Sequence, residues 1–292
     1  MSTETVVVVL SADNDYARPL ATAAHSVIAT LRAERSLDLY ILDMGLDADN
    51  RSLVERSVAD ARTTLHWVES LRDKVGHLPN TWTEITRATY ARLYIPDVLP
   101  RDVARAIYLD CDVVARRSVG DLFDVDMEGR AAMAVPDVQS PFVTSPLGVP
   151  RWFESGRSPG DLNFNCGVML MDLVAWRQDS VRDAALEYLT DGRHYFAQDQ
   201  EALNVVLAGR IGQLDPRWNQ QFELFLREYE VTLPYPREVL NELATNPWIT
   251  HYSNKKKPWH FGNSHPLVHE WFEHLDQTAF AGWRPAPKKR LE

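Results

Sequence analysis

Two aspartates one residue apart, Asp110 and Asp112, stand directly after the apolar run 106–109. Carboxylates at i and i+2 beyond a strand end can both turn toward one ion once the chain leaves the sheet. Hard divalent cations take such oxygen ligands and complete their shells with ligand phosphates, neutralising charge on a departing diphosphate. An isolated Asp-x-Asp triplet is more often a solvated turn; the strand leading into this one singles it out. A second block, residues 249–260 (ITHYSNKKKPWH), carries His251 on a short strand, followed by three lysines within six residues. His251 offers a nitrogen ligand to join the two aspartates, and Lys257, fixed by Pro258, offers a point charge to a diphosphate. The plain alternative is a solvated basic loop beside aromatic residues.

Two further blocks place polar side chains at element ends. Asn165 precedes the apolar run 166–171, where it can hydrogen-bond a sugar hydroxyl or open the strand in an Asx turn. Gln198, Asp199 and Gln200 precede a helical stretch over 200–207. Asp199 is a natural N-cap for that helix, and either Gln200 or Asp199 can instead face a sugar.

The elements that must position these residues follow from periodicity. Residues 5–10 (TVVVVL) form a β-branched block without polar alternation, as in a strand buried on both faces. The turn-forming cluster Ser11, Ala12, Asp13, Asn14 and Asp15 follows, then a helical pattern over 16–33 with Leu20, Ala23, Ala24, Val27, Ile28 and Leu31 on one face. Strands over 37–42 and 64–68 bracket a helix over 48–61, which predicts a parallel sheet with crossover helices. Beyond it, the pattern predicts a helix over 83–93 ended by Pro96, strands over 106–109, 131–135 and 166–171, and a helix from Leu173. Residues 139–160, rich in Pro, Ser and Gly, read as a long surface loop, a lid or an acceptor-facing flap. In open α/β sheets ligands bind beyond the carboxyl ends of the strands, so the loops after Leu10, Leu109, Val135 and Met171 are where a site belongs.

The chain has 292 residues, a formal net charge of −10 and two cysteines. The acidic balance excludes a general nucleic-acid binder, which needs basic surface for phosphates. Cys111 and Cys166 cannot build a disulfide framework, and a reduced cytoplasmic chain is the simplest reading. The N-terminal apolar run is too short for a signal peptide, and no stretch reaches the length of a membrane span. Membrane contact is therefore expected only from the surface, at the inner face. The tail over 283–290 mixes an aromatic with basic residues, which suits either an anionic lipid surface or a solvated terminus. Residues 1–262 are expected to form one α/β domain, with 263–292 an aromatic-rich extension of helix and basic tail.

In this order, the blocks resemble glycosyltransferase family 8, which includes glycogenin and bacterial lipopolysaccharide α-galactosyl- and α-glucosyltransferases. The resemblance runs from about Val6 to Trp259 on SADNDY (11–16), ATYARLYIP (88–96), YLDCDVV (108–114), FNCGVMLMDLVAW (164–176) and HYSNKKKPWH (251–260), supported by AQDQEALN (197–204). It implies a GT-A (Rossmann-like) fold, a mostly parallel sheet flanked by helices, and a divalent metal, usually Mn²⁺ with Mg²⁺ as the second candidate. By the same mapping Asp110, Asp112 and His251 are the metal ligands. Ser11, Ala12, Asp13 and Asp15 form the uridine and ribose pocket. Arg92 steadies donor sugar and diphosphate, and Lys257 contacts the diphosphate, in the loop that carries Asn254. Asp137, Asn165, Asp199 and Gln200 face the sugar, with Gln200 near the anomeric carbon on the face a nucleophile would attack. The chain departs from the common pattern at Cys111 and Cys166, where a small residue is usual, at Asn254, where glycine is usual, and at Asp15, where a relative has asparagine.

The implied activity is retaining transfer of a hexose, glucose or galactose, from a UDP-sugar to a glycan, protein or small-molecule hydroxyl. Gln200 is a poor nucleophile and Asp199 the only nearby carboxylate, which favours substitution from the leaving-group face over a covalent intermediate. Three rivals remain: an inactive sugar-binding relative, a solute-binding protein, and a nucleotidyltransferase, although SADND has no glycine for a phosphate loop.

Overall fold

The computed structural model describes residues 5–69, 71–79, 87–191, 198–222, 233–243 and 245–287. Among the described residues ten strands form two sheets: β1 (Thr5–Ala12), β2 (Ser36–Asp43), β3 (Thr63–Val68), β4 (Arg105–Leu109), β5 (Val113–Ala115), β6 (Ala132–Pro136), β7 (Phe164–Asp172), β8 (Ile211–Gln213), β9 (Gln220–Gln221) and β10 (Ile249–His251). The larger sheet has seven strands in the order β3-β2-β1-β4-β7-β6-β8, and the smaller has the order β5-β10-β9. Pairings β1–β2, β2–β3, β1–β4 and β6–β8 are parallel; β7 alone runs against its neighbours β4 and β6. Periodicity predicts a parallel sheet with crossover helices; the sheet observed is the mostly parallel one flanked by helices that the family resemblance implies.

β1 lies at the centre of its half because it is apolar on both faces. Val6, Val8, Val9 and Leu10 are fully buried, each contributing about 1.5–3 kcal/mol by leaving water. The helix Ala17–Thr30 covers one face with Leu20, Ala23, Ala24 and Val27, all fully buried. It is shorter at both ends than periodicity predicts, since Asn14–Tyr16 closes a separate 3₁₀ turn capped by Asp13. The next helix stops at Ser57 rather than at residue 61. In the C-terminal stretch, Trp271 and Leu275 of the helix Val268–Leu275 are fully buried in the same core.

Three local expectations change. The segment ahead of Pro96 is a 3₁₀ helix, Arg87–Tyr94, not an α-helix; the first part of the predicted helix, 83–86, lies outside the described residues. Its three-residue repeat puts Thr89 and Arg92 on one edge, where both reach Asp199. The helix after residue 197 is Gln198–Val206, so Asp199 lies inside its first turn and is not its cap. Residues 150–154 and 156–160 lie at the surface as expected, but the first half of the 139–160 segment is partly buried. Ser140, Val143 and Val149 are buried, and a bridge ties Phe142 to Leu162. At Gly148 an added Cβ would lie 2.5 Å from the Val143 carbonyl oxygen, so the segment folds tightly on itself. No helix among the described residues is long and apolar enough to cross a membrane, and Lys288, Lys289 and Arg290 of the tail lie outside them.

Candidate active site

The cleft opens where the two sheets meet. β4 ends at Leu109, Asp110 and Asp112 follow, and the chain enters β5 of the small sheet at Val113. β10 pairs antiparallel with β5 so that His251 sits opposite Val113, one residue from Asp112. One sheet therefore brings the carboxylates and the other the imidazole. Asp110, Asp112 and His251 each offer one ligand atom, all within 4.8 Å of one another. Two carboxylates and a neutral imidazole suit a hard or borderline divalent cation, so the donor set fits the metal that the sequence implies. Gly167 of β7 makes room: a Cβ there would lie 2.5 Å from His251 Cε1 and 2.7 Å from Asp110 Oδ2.

The cleft, of about 270 Å³, is lined by Ser11, Ala12, Asp13, Arg92, Asp110, Asp112, Asn165, Asp199, Gln200, His251 and Lys257 among the residues that the sequence singles out. Ser11 and Ala12 end β1, and Asp13 caps the following turn through its side chain. The Ser11 hydroxyl donates to the Ala88 carbonyl at 3.0 Å, tying β1 to the Arg87–Tyr94 turn. Asp15 is exposed and does not line the cleft, because the 3₁₀ turn carries it outward. Asn254 also stands outside the lining, where its side chain accepts from the Lys256 N–H.

The charges are strongly coupled. Lys257 Nζ lies 2.6 Å from Asp112 Oδ2 and donates to the Tyr252 carbonyl at 2.8 Å. His251 Nε2 is 3.2 Å from Asp112 Oδ1. Burial opposes the Asp112 charge, yet Lys257 and His251 hold its carboxyl well below the usual carboxylate range. Arg92 is buried between Asp199, at 2.7 Å, and Asp110, at 3.1 Å, and also donates to the Cys166 carbonyl. Burial works against its charge, but Asp110 and Asp199 outweigh that and push its pKa up. Asp199 accepts from the Thr89 hydroxyl at 2.8 Å, and burial pushes its carboxyl up against the pull of Arg92. Tyr108 donates its hydroxyl to Asp110 at 2.7 Å.

Asp137 stands just behind the lining, after the end of β6. Its Oδ1 accepts from the backbone N–H groups of Gln139 and Ser140, and its Oδ2 accepts from the amides of Asn165 and Gln200, both at 3.1 Å. Gln200 Oε1 in turn accepts from the Cys166 N–H at 3.1 Å, so both ends of that amide are held. Sequence reasoning missed Thr89, Tyr108, Gly167 and Asn219. Asn219 closes the turn Pro216–Asn219, and its side-chain oxygen lies 2.8 Å from His251 Nδ1. An asparagine after Arg217 and Trp218 gives no signal beyond that of a turn residue.

A model of glycosyl transferase family 8 matches residues 7–262. General stress protein A of Bacillus subtilis (strain 168) is 28% identical over 94% of this chain and 94% of its own length. The lipopolysaccharide 1,2-glucosyltransferase of Escherichia coli (strain K12) is 25% identical over 99% of this chain and 83% of its own. Among solved structures, the galactosyltransferase LgtC in complex with donor and acceptor sugar analogs superposes with a TM-score of 0.76. That match covers 94% of this chain and 96% of the other at 24% identity, a likeness of GT-A fold.

Proposed function

This chain belongs to glycosyltransferase family 8, and on that premise we propose that it transfers a hexose from a UDP-sugar to a hydroxyl acceptor with retention of configuration. The observation that carries the reading is the convergence of Asp110, Asp112 and His251 within 4.8 Å beside Lys257 in the cleft. Mn²⁺, or Mg²⁺, bound there would neutralise charge on the departing diphosphate. Lys257 supplies a second positive charge on the same side. Ser11, Ala12 and Asp13 take the nucleoside at the end of β1. Asn254 shapes the loop that presents Lys257. Arg92 steadies the donor through the pair of carboxylates it already holds, and Asp137, Asn165 and Gln200 form the hydrogen-bonding floor for the sugar.

Same-face substitution fits these residues better than a covalent route. Asp199, next to Gln200 in the chain, is buried, paired to Arg92 and bonded to Thr89. The Asp137 carboxylate that touches the Gln200 amide also accepts from Asn165 and from the Gln139 and Ser140 N–H groups. Both are poor states for a nucleophile. The C1–O bond to UDP breaks, the acceptor oxygen bonds C1 from that face, and the acceptor proton passes to a diphosphate oxygen of UDP. Finding a glycosylated Asp199 by mass spectrometry would overturn this route. Glucose is placed before galactose as the donor sugar, and the acceptor is a glycan or another hydroxyl compound.

The test is UDP release from a panel of UDP-sugars without acceptor, with Mn²⁺ or with a chelator. Slow hydrolysis of one donor, abolished by the chelator, supports the reading and identifies the sugar. Binding of UDP with no turnover of any donor, even with a wide acceptor panel, would make this an inactive relative instead.

A further inference from the structure

We propose that Asn219, outside the cleft lining, is a positioning residue that holds a proton on His251 Nδ1 and so orients the ring with Nε2 as the metal-facing atom. The inference deepens the proposed function and rests on its metal site. Asparagine oxygen and nitrogen are interchangeable by shape, so their orientation has to come from the hydrogen-bond network. Here a backbone group decides it. The Gly167 N–H donates at 3.0 Å to the Asn165 side chain, so the Asn165 atom there must be its oxygen. The other end of Asn165 is then its amino group, which meets the carboxylate of Asp137 at 3.1 Å, an acceptor. Both ends agree.

The same Asn165 oxygen lies 2.9 Å from Asn219, so Asn219 must present its amino group there. The remaining end of Asn219 is its oxygen, 2.8 Å from His251 Nδ1. Two acceptors would repel at that distance, so Nδ1 carries a proton. Asn219 is fully buried and His251 nearly so, which leaves water little chance to replace either bond, and a broken buried bond costs about 1–3 kcal/mol. Nε2, on the opposite edge of the ring, faces Asp112 and belongs to the three-atom group with Asp110. Metal-bound histidines commonly donate their other ring nitrogen to such a partner, and its loss typically weakens metal binding by about 10–100-fold.

The β10–β9 pairing makes the arrangement rigid. His251 is in register with Gln221 and Thr250 with Gln220, so the residue ahead of β9 is held beside the imidazole by backbone bonds. A second consequence is that one hydrogen-bonded chain, His251–Asn219–Asn165–Asp137–Gln200, joins the metal side of the cleft to its sugar side.

The first experiment reads the proton. Long-range ¹H–¹⁵N spectra of the metal-free protein should show His251 Nδ1 protonated; a bare Nδ1 overturns the proposal. The second uses Mn²⁺ with UDP as the probe in calorimetry on Asn219→Leu and Asn219→Gln. Asn219→Leu, of similar shape, should weaken Mn²⁺ binding by about 10–100-fold, while Asn219→Gln, which keeps both an acceptor for Nδ1 and a donor for Asn165, should recover part of that loss. Unchanged Mn²⁺ affinity in a folded Asn219→Leu protein overturns it. If the parent itself binds no Mn²⁺ with UDP, the proposed function fails, and the Nδ1 spectrum still decides the tautomer by itself.

Discussion

Arg92 and Asp199 form an ion pair of 2.7 Å in which neither side chain is more than 6% exposed. Without Arg92, Asp199 would be a buried charge with no ion-pair partner, whereas Arg92 would keep Asp110. Removing one partner of such a pair typically costs about 3–5 kcal/mol, whereas removing both costs much less. Arg92→Met should therefore lower unfolding stability by about 3 kcal/mol or more. Asn in place of Asp199 in that background should restore part of the loss. Chemical denaturation of the two single variants and the double variant measures the coupling, and strict additivity would remove the pair as the cause.

Gly167→Ala tests the close approach of β7 to the cleft. Its methyl group would meet His251 and Asp110, both in the proposed metal set. The expected cost is about 1–3 kcal/mol of stability from overpacking. Turnover should drop by about a hundredfold, because misplacement by an ångström is enough to do so. Thermal unfolding and UDP-release rates read the two effects separately.

Stability should fall as the medium is acidified through the histidine range. Burial lowers the pKa of His265 to about 4 and, with His25 nearby, that of His274 also to about 4, against an ordinary value of 6.5. The unfolded chain then binds more protons than the folded one between those values, so stability rises with pH across that window and is lost below it. Allowing for partial exposure, each imidazole contributes about 1 kcal/mol. His274 and His25 hold their ring nitrogens 3.2 Å apart between the C-terminal helix and Ala17–Thr30. His274→Gln should flatten the acid limb of the denaturation midpoint, and an unaltered slope would exclude that pair.

Both cysteines should resist alkylation in the folded protein and react once it unfolds. Cys111 and Cys166 are free and buried, and burial raises both thiols, so little thiolate forms. Mass spectrometry after iodoacetamide treatment at mildly alkaline pH, with and without denaturant, is the check.

The sequence by itself determined the elements whose pattern is local. Residues 5–10 are apolar without polar alternation, which suits an interior strand, and Asp110 and Asp112 follow directly from the apolar run 106–109. His251 was legible as a histidine delivered by a strand, and Gln200, Asn165 and Arg92 through motifs in order. What the tertiary structure decided depends on which residues meet across long separations. Asp199 reads as a helix cap until Arg92, more than a hundred residues earlier in the chain, takes its carboxylate. Residues 139–160 have loop composition, and while 150–154 and 156–160 stay at the surface, Ser140, Val143 and Val149 are buried beside the Phe142–Leu162 bridge. Asp15 shares a motif with Asp13, yet a single 3₁₀ turn sends one into the cleft and the other to solvent. Gly167 and Asn219 carried no sequence signal, because their importance lies in the space beside His251 and in the direction of one hydrogen bond. Spacing along the chain encodes strands and helices through backbone periodicity. The facing of two side chains from different sheets is set only when those sheets pack.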